Sequence, residues 1–506
     1  MLATVPSATI LGVEGRPVTV EVHVGQGLPS FTVVGLPDAS CREARDRARA
    51  AVLCSGLTWP TRKVTVNLAP SSERKIGSGL DLAIAVAVLA ATDQVPAEAV
   101  ADLACIGELG LDGAVRPVAG TVALVDAVPG STVVVAAPSA AEARLVGRHR
   151  VRAVAHLSEL VLALRGEEPW PDPPAPAPPP PEPPPPDLAD VRGQPAARQA
   201  LEIAAAGAHH LLLVGSPGAG KTMLARRLPG LLPPLAPSEA LAVTRIHSAA
   251  GVPVPGGGVV VRPPFRAPHH SSTTVSLVGG GTAALRPGEL SLATGGVLFL
   301  DELGEFGPSV VDALRQPLEE GVVRVARARA AVTLPARFLL VAATNPCPCG
   351  EATEAGACRC SDAARARYRR RLSGPVLDRF DLRVEVHRPE PAALLATAGG
   401  QPSAVVAERV AAARRVAAGR GVRANAEIPA DRLDQAAPLA GGATRMLEAA
   451  LRQGRLTARG LARVRRVART IADLDGAPPD SALGAEPVAL AMTLRADVSS
   501  ALEAVA

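Results

Sequence analysis

The chain has 506 residues, and 53 Lys and Arg residues against 48 Asp and Glu residues give it a formal net charge of +5. That length predicts about three domains, and a hydrophobic fraction of 48% excludes global disorder. The sequence has neither an uninterrupted apolar run of ~18 residues nor a secretory signal pattern, and its seven unevenly spaced cysteines are typical of a reducing compartment. We therefore expect a soluble, cytoplasmic, multidomain protein without membrane contact.

The first 165 residues alternate β-rich runs with helical patterns. Strands are predicted at Val18–Val24, Phe31–Val34, Lys63–Leu68 and Val133–Ala136, and helices at Asp38–Leu53 and Leu80–Ala91. This mixture predicts an α+β or α/β domain for residues 1–165.

Residues 166–187 form the clearest boundary in the sequence. Residues 169–187 contain thirteen prolines. Proline has no backbone N–H group and favours an extended polyproline II conformation, so a semi-rigid linker is predicted here.

A glycine-rich segment follows the next predicted strand, His210–Gly215, and precedes a predicted helix. It reads Gly215-Ser216-Pro217-Gly218-Ala219-Gly220-Lys221-Thr222 and fits the pattern G-x-x-x-x-G-K-[ST]. In such a loop, backbone N–H groups surround phosphates, the lysine reaches the β- and γ-phosphates, and the threonine hydroxyl binds Mg²⁺. Lys221 is one of only three lysines beside fifty arginines, which indicates that this position needs an ammonium group.

Two further buried-type strands, Gly296–Asp301 and Phe338–Asn345, end in polar residues. Asp301 is predicted to lie near Mg²⁺, Glu302 to polarise the attacking water, and Asn345 to orient that water toward the γ-phosphate. A cap or turn role is the alternative for Asn345. From the residues alone we expect an α/β domain that hydrolyses ATP.

Several motifs occur together in the C-terminal unit, where the pattern becomes wholly helical from about residue 400. They are Arg266–Ser271 (RAPHHS), Leu298–Glu302, Asn345–Gly350 (NPCPCG), Arg371–Asp381 and Leu456–Leu474. In combination they resemble the ComM/YifB family of Mg-chelatase-like AAA+ ATPases. The resemblance implies an α/β fold with a P-loop AAA+ module over residues 188–398 and a C-terminal helical lid over residues 399–506. It also implies a Lon-protease-like (ribosomal S5 domain 2-like) α+β domain over residues 1–165.

The resemblance further implies a homo-oligomeric ring, usually a hexamer, with ATP held between neighbouring subunits. Arg379 matches the arginine finger that would reach the γ-phosphate of the next subunit, and Arg459 matches the second sensor arginine of the lid. Such a fixed charge stabilises phosphate oxygens in the transition state. A surface salt bridge is the alternative role for each arginine.

Two segments of the core are candidates for DNA contact. The resemblance implies that the region of about residues 251–295 is an insertion that projects into the ring channel. Residues 320–335 predict a hairpin with Arg324, Arg327 and Arg329 at and around its turn. Closely spaced arginines suit phosphate contacts, whereas the lack of an aromatic residue in the hairpin disfavours base stacking.

Four of the seven cysteines lie within fourteen residues: Cys347, Cys349, Cys358 and Cys360. Four thiolates can complete a tetrahedral zinc site, and because no coordination position stays open the zinc would be structural. Unmetallated or redox-active thiols are the alternative.

The N-terminal unit carries a degenerate protease motif. Its stretch Lys75–Asp81 (KIGSGLD) corresponds to the K-x-G-P-S-A-G stretch of Lon proteases, but Ser78 stands one position early and Gly79 occupies the place of the nucleophile. The later segment Gly107–Val122 contains no lysine that could activate a serine. We expect no proteolysis, and a role in ring assembly or DNA contact instead.

The leading hypothesis is an ATP-driven DNA motor that translocates on branched DNA or remodels it, as a helicase or branch-migration enzyme in recombination or transformation. The first alternative is a Mg-chelatase-type motor subunit that drives metal insertion into porphyrin, although such motor subunits lack a Lon-like N-terminal domain. The second is a nucleotide-dependent scaffold, against which the acid pair Asp301 and Glu302 argues.

Overall fold

The computed structural model describes residues 1–72, 74–172, 184–254, 258–281, 285–327, 330–351, 358–371, 374–395 and 399–495. Most of the predicted polyproline segment, residues 173–183, lies outside the described residues, as does Arg329. In the described part of the chain, none of the helices is long and apolar enough to cross a membrane.

The N-terminal unit contains two main β-sheets covered by helices. Its strands are β1 (Leu2–Leu11), β2 (Glu14–Gly25), β3 (Ser30–Val34), β4 (Lys63–Ala69), β5 (Leu103–Ile106), β6 (Glu108–Leu109), β7 (Val115–Arg116), β8 (Thr132–Ala136) and β9 (Arg150–Val154). Its helices are α1 (Ala39–Cys54), α2 (Asp81–Ala91), α3 (Ala97–Val100), α4 (Thr121–Ala127), α5 (Ala140–Arg144) and α6 (Leu157–Arg165). A mixed sheet has the order β1-β2-β4-β3, and a parallel sheet has the order β5-β8-β9.

The local sequence explains these elements. Every second residue of β2, beginning at Val18, is a buried valine, which is the period of a strand with one face on the core. Helix α1 begins after Asp38, whose carboxylate accepts a hydrogen bond from the Cys41 backbone N–H at 2.8 Å. Helix α2 is apolar on all sides and all its residues are buried. The predicted strands and helices of this unit are therefore present.

The C-terminal unit is built around a parallel sheet. Its strands are β10 (Leu211–Val214), β11 (Phe265–Arg266), β12 (Gly279–Gly280), β13 (Arg286–Pro287), β14 (Val297–Leu300), β15 (Val322–Arg327), β16 (Ala330–Pro335), β17 (Leu339–Thr344) and β18 (Leu382–Glu385). The helices around the sheet are α7 (Pro195–Gly207), α8 (Lys221–Ala225), α9 (Pro237–Ala250), α10 (Thr274–Val278), α11 (Glu289–Leu292), α12 (Pro308–Ala313), α13 (Arg315–Glu320), α14 (Asp362–Arg371), α15 (Gly374–Leu377) and α16 (Pro391–Leu395). The sheet order is β11-β14-β17-β10-β18, and all four pairings are parallel.

Both faces of this sheet are covered. Along β10, Leu211 and Leu213 belong to one hydrophobic core, and Leu212 and Val214 belong to another. Burial on both faces explains why the central strands are continuous apolar runs, as is typical of parallel sheets. The predicted mixed α/β architecture is thus confirmed.

The last hundred described residues are helical, as predicted. The helices are α17 (Ser403–Gly419), α18 (Leu433–Ala436), α19 (Gly441–Arg452), α20 (Ala458–Leu474) and α21 (Ala485–Thr493). Helix α20 buries a stripe of Val464, Val467, Ala468 and Ile471, which packs into the core on one face of the sheet.

Part of the region of residues 251–295, predicted as an insertion, belongs to the central sheet and its core. Its Phe265–Arg266 segment is the edge strand β11 of the central sheet and pairs with β14. In addition, Leu277, Leu290 and Leu292 are buried in the core of the unit. Apolar residues among the glycines therefore tie part of this region to the sheet.

The hairpin predicted at residues 320–335 is present as β15 and β16, and its apolar face packs on the N-terminal unit. Val13, in the turn between β1 and β2, belongs to the same core as Val323 and Leu334. Helix α9 adds polar contacts: Arg245 pairs with Asp126 at 2.6 Å. The two units on either side of the proline-rich linker thus share a hydrophobic core.

Candidate nucleotide-binding site

The glycine-rich loop connects β10 to α8 at the carboxyl end of the central sheet. Gly218 and Gly220 have φ values of +79° and +93°, a left-handed conformation that favours glycine. A Cβ at Gly218 would meet nothing within 4 Å, so the loop backbone faces open space. Backbone N–H groups exposed in this way suit contacts with phosphate oxygens.

Lys221 lies beneath the loop and is almost fully buried, with 8% of its surface exposed. Its Nζ donates hydrogen bonds to the carbonyl oxygens of Gly215 at 2.6 Å and Ser216 at 2.9 Å, and to Asn345 Oδ1 at 3.1 Å. Burial lowers the pKa of Lys221. The loop lysine and Asn345, 124 residues apart in sequence, therefore meet as the strand order requires.

Thr222 and Asp301 form the second contact of the site. The Thr222 hydroxyl donates a hydrogen bond to Asp301 Oδ2 at 2.7 Å. Asp301 directly follows β14, so the strand end aims its carboxylate at the first turn of α8. Hydroxyl and carboxylate oxygens at this separation are of the kind that Mg²⁺ uses in nucleotide sites.

These residues line a cavity of about 430 Å³. The lining residues are Pro217, Gly218, Gly220, Lys221, Thr222, Met223, Asp301, Glu302, Thr344 and Asn345. The volume lies within the usual range for small-molecule sites. Neither Arg379 nor Arg459 is among the lining residues.

Glu302 borders the cavity with its side chain half exposed, and it adopts a left-handed backbone with φ +54°. A residue other than glycine rarely takes this conformation, and such strain is common at functional sites. Glu302 Oε2 lies 3.2 Å from Nδ1 of His270, whose ring lies against that of His269 at 4.0 Å. The RAPHHS motif thus supplies a neighbour for Glu302, a contact that the sequence motifs did not predict. The position of the motif directly after β11 is the signal that could have revealed it.

Arg379 is held by its own chain. Its guanidinium pairs with Glu319 at 2.5 Å, and 12% of its side chain is exposed. Arg463 of α20 donates to the backbone carbonyl of Arg379 at 3.1 Å and to the Asp381 carboxylate at 2.5 Å. Arg459 lies in the first turn of the same helix and is exposed.

Asp381 anchors this segment beneath the sheet. Burial on its own would raise the pKa of Asp381, but the hydrogen bond with His209 and the charge of Arg463 hold it far below its usual range. The neighbouring His210 is half-buried, and loss of hydration lowers its pKa from 6.5 to about 4, while its Nδ1 accepts a hydrogen bond from the Leu340 backbone N–H at 3.1 Å. We therefore expect a neutral His210 in the folded protein at pH 7.

The four clustered cysteines come together in space. Their Sγ atoms all lie within 4.8 Å of one another, and the group can hold a metal ion. Hydrogen bonds from the backbone N–H groups of Glu351 and Arg359 lower the pKa of Cys349 to about 6. The thiolate form that metals bind is thus favoured at Cys349, whereas loss of hydration raises the pKa of Cys360.

Of the three arginines predicted at and around the turn of the hairpin, Arg324 has a described side chain. Arg324 is exposed and pairs with Glu320 at 2.8 Å. The side chain of Arg327 and all of Arg329 lie outside the described part of the chain.

The residues of the degenerate protease motif do not form a serine–lysine pair in their described contacts. The Ser78 hydroxyl donates a hydrogen bond to the Glu108 carboxylate. Lys75 is fully buried, and its Nζ donates to the Pro70 carbonyl oxygen. In these contacts Ser78 therefore has no amine neighbour of the kind that activates the serine of a serine–lysine pair.

Comparison with known families assigns most of the chain. Residues 187–394 match the family described as magnesium chelatase, subunit ChlI, residues 20–136 match subunit ChlI of Mg-chelatase, and residues 400–495 match the ChlI C-terminal family. The match over residues 20–136 removes the argument that the N-terminal unit separates this chain from chelatase motor subunits.

Similar proteins extend over nearly the full length. A protein of Mycobacterium tuberculosis strain H37Rv is 46% identical over 97% of this chain and 97% of its own length. YifB of Escherichia coli K12 is 43% identical over 94% of each chain, and the competence protein ComM of Haemophilus influenzae is 42% identical over 94% of each. The chain therefore belongs to the ComM/YifB family of magnesium-chelatase-like proteins and has the role of an AAA+ ATPase-type enzyme.

Proposed function

We propose that this protein hydrolyses ATP in the cavity beside the glycine-rich loop and uses the energy to translocate on branched DNA or remodel it. The observation that carries the ATPase assignment is the convergence of Lys221, Thr222, Asp301, Glu302 and Asn345 on that cavity. Asp301 and Glu302 follow β14, Asn345 follows the neighbouring strand β17, and Lys221 and Thr222 begin helix α8. They supply an ammonium, oxygen ligands and a carboxylate base, the groups that phosphoryl transfer to water uses.

Each residue has one task in this proposal. Lys221 holds the β- and γ-phosphates. Its ammonium lies among carbonyl oxygens at the base of the loop, which places its charge next to the phosphates that the loop surrounds. Thr222 and Asp301 hold Mg²⁺, which when bound neutralises charge on the phosphates. Glu302 accepts the proton of the attacking water, and Asn345 orients that water.

A homo-oligomeric ring, which we propose to be a hexamer, completes the site. Arg379 and Arg459 do not line the cavity of their own chain, as expected if they contact the nucleotide of the next subunit. Helices α17–α21 act as the lid of this AAA+ module. The N-terminal unit, which we assign to the Lon-protease-like fold without its protease activity, supports ring assembly or DNA contact.

The proposal that DNA is the substrate is based on the arginines of the hairpin and on the name of one relative. Arg324 is exposed on β15, and Arg327 and Arg329 follow it in the sequence. The relative from Haemophilus influenzae is named a competence protein, which favours recombination or transformation as the setting. Insertion of metal into porphyrin remains the second candidate because all three matched families are described as chelatase subunits.

The deciding experiment measures ATP turnover of the full chain with branched DNA, with single-stranded DNA, and with protoporphyrin plus Mg²⁺. We expect stimulation by DNA and none by protoporphyrin. Arg324→Ala should weaken DNA affinity and make its log–log salt dependence shallower by roughly 0.7–0.9. Arg452→Ala, which removes an exposed arginine of α19 that also pairs with an acid four residues away, is the matched control. Stimulation by protoporphyrin alone would replace the DNA motor with the chelatase function.

The proposed metal of the cysteine cluster is one structural zinc ion. A set of four thiolates selects zinc or iron–sulfur clusters among common metals, and it leaves no open position for catalysis.

A further inference from the structure

The cysteine cluster has the dimensions of a single-ion site. The Sγ atom of Cys347 lies 3.3 Å from that of Cys349 and 3.6 Å from that of Cys358, and Cys349 and Cys358 are 3.7 Å apart. Four sulfurs bound to one zinc ion at ~2.3 Å in a tetrahedron lie ~3.8 Å from each other. The three separations are close to that value, and the Sγ atom of Cys360 lies within 4.8 Å of the others, so the four sulfurs can surround one ion.

The cluster also lies against the phosphate-binding loop. Gly350, inside the cysteine segment, has φ +82°, and a Cβ built on it would lie 2.4 Å from Cδ of Pro217. Arg388 adds a second link, since its guanidinium is 3.4 Å from the Pro217 carbonyl oxygen and 3.7 Å from the Glu351 carboxylate. The backbone of the cysteine segment is therefore in direct contact with a residue that lines the nucleotide cavity.

Both flanks of the cysteine segment contact residues that line the nucleotide cavity. Asn345 precedes Cys347 by two residues, and its Oδ1 accepts a hydrogen bond from the Lys221 ammonium. On the other side, helix α14 carries the buried Tyr368, whose hydroxyl lies 2.9 Å from the Thr344 hydroxyl. Closing the segment through its cysteines would thus fix Asn345 and Tyr368 relative to each other.

We propose that the zinc ion acts as a clasp: by closing residues 347–360 it holds Gly350 on Pro217 and Asn345 on Lys221, so that nucleotide affinity depends on metal occupancy. The clasp rests on the proposed function, because it assumes that the cavity binds a nucleotide. It supplies no catalytic group. Its effect is a coupling free energy between two sites, for which ~5- to 150-fold changes in affinity are typical.

The test uses the full chain, purified without chelator. Elemental analysis should give about one zinc and no iron per chain. Zinc is then withdrawn by a chelator under reducing conditions, and the affinity for fluorescent ADP is measured before withdrawal, after it, and after zinc is returned. ADP affinity should fall at least fivefold and recover with zinc. Because coupling is reciprocal, saturating ADP should tighten zinc binding by the same factor.

Two variants separate the contact from the metal. Gly350→Ala should keep its zinc yet bind ADP more weakly, because the added methyl group pushes against Pro217. Gly147→Ala is the control, since Gly147 has a similar φ of +76° and nothing within 4 Å of its Cβ position. Cys358→Ser should lose both zinc and ADP affinity, whereas Cys54→Ser, at an exposed cysteine outside the cluster, should lose neither.

The outcomes distinguish the two proposals. A chain that binds no zinc even after loading, or that carries iron, overturns the zinc clasp. ADP affinity that changes less than twofold on zinc removal also overturns it, while the ATPase assignment stands. Zinc-loaded protein that binds no ADP overturns both. If the apoprotein unfolds, Gly350→Ala decides: a zinc-loaded variant with wild-type ADP affinity refutes the clasp.

Discussion

The ion pair between Arg379 and Glu319 offers a way to separate two roles of this arginine. If Arg379 is only a structural partner, removing either member of the pair should have the same effect on the protein. If Arg379 acts on the nucleotide of a neighbouring subunit, Glu319 competes with that nucleotide for the guanidinium. The variants Arg379→Ala and Glu319→Gln should then change ATP turnover in opposite directions.

The structure bounds the size of both effects. Although Arg379 is largely buried, 59% of the Glu319 side chain is exposed, so water screens the pair. Pairs of this kind contribute ~0.2–1 kcal/mol. At about 1.4 kcal/mol per factor of ten, Glu319→Gln should raise turnover by no more than ~fivefold. Loss of an arginine finger lowers turnover by ~10³–10⁵, so Arg379→Ala should be nearly inactive while it still binds ATP.

The assay is steady-state ATP turnover of each variant and of a mixture. Arg379→Ala subunits keep an intact cavity, and Lys221→Ala subunits keep an intact Arg379. Mixed rings therefore contain interfaces at which an intact cavity faces an intact Arg379, and ATP turnover should partly return. Equal losses in Glu319→Gln and Arg379→Ala would show that the arginine is structural. Mixed rings that assemble but hydrolyse no ATP would refute its action between subunits.

Three further predictions follow from other parts of the structure. Glu302→Gln should bind ATP with unchanged affinity while single-turnover hydrolysis falls ~10²–10⁴-fold, and wild-type hydrolysis would exclude Glu302 as the base. The free energy of unfolding should fall by ~2 kcal/mol as pH falls from 7.5 to 5, because of His210. Its pKa is lowered from 6.5 to about 4 in the folded protein, so over this range only the unfolded chain takes up the proton. His210→Asn keeps an acceptor for the Leu340 N–H group and should remove that part of the pH dependence in denaturant titrations. Val13→Asp should lower the melting temperature because it buries a carboxylate in the core shared by both units, whereas Leu2→Asp, at an exposed position, should not.

Local patterns account for what the sequence predicted well. The glycine loop, its flanking strand and helix, and the polar ends of β14 and β17 follow from residue spacing and from the rule that parallel strands end at one edge. The meeting of Lys221 with Asn345 is a consequence of that rule, and it needed no knowledge of packing.

The features that escaped prediction depend on contacts between distant segments without a periodic signature. Glu319 and Arg379 are 60 residues apart, and neither lies in a pattern that indicates the other. The packing of Val13 against the hairpin joins segments on opposite sides of the proline-rich linker, so composition suggested a boundary where the core is continuous. Strand β11 is only two residues long, too short for its alternation to be recognised among the prolines that flank it.

The two arginines that the family resemblance singled out are linked through helix α20. Arg459 and Arg463 are four residues apart on α20 and so share a face of that helix. Arg463 in turn donates to the backbone carbonyl of Arg379 and to Asp381, which fixes the finger segment to the helix. A rigid helix, rather than a loop, therefore sets the spacing between Arg379 and Arg459. A subunit interface that receives one of these arginines must be close to the other, and a movement of α20 relative to the sheet would have to break the contacts of Arg463 with Arg379 and Asp381.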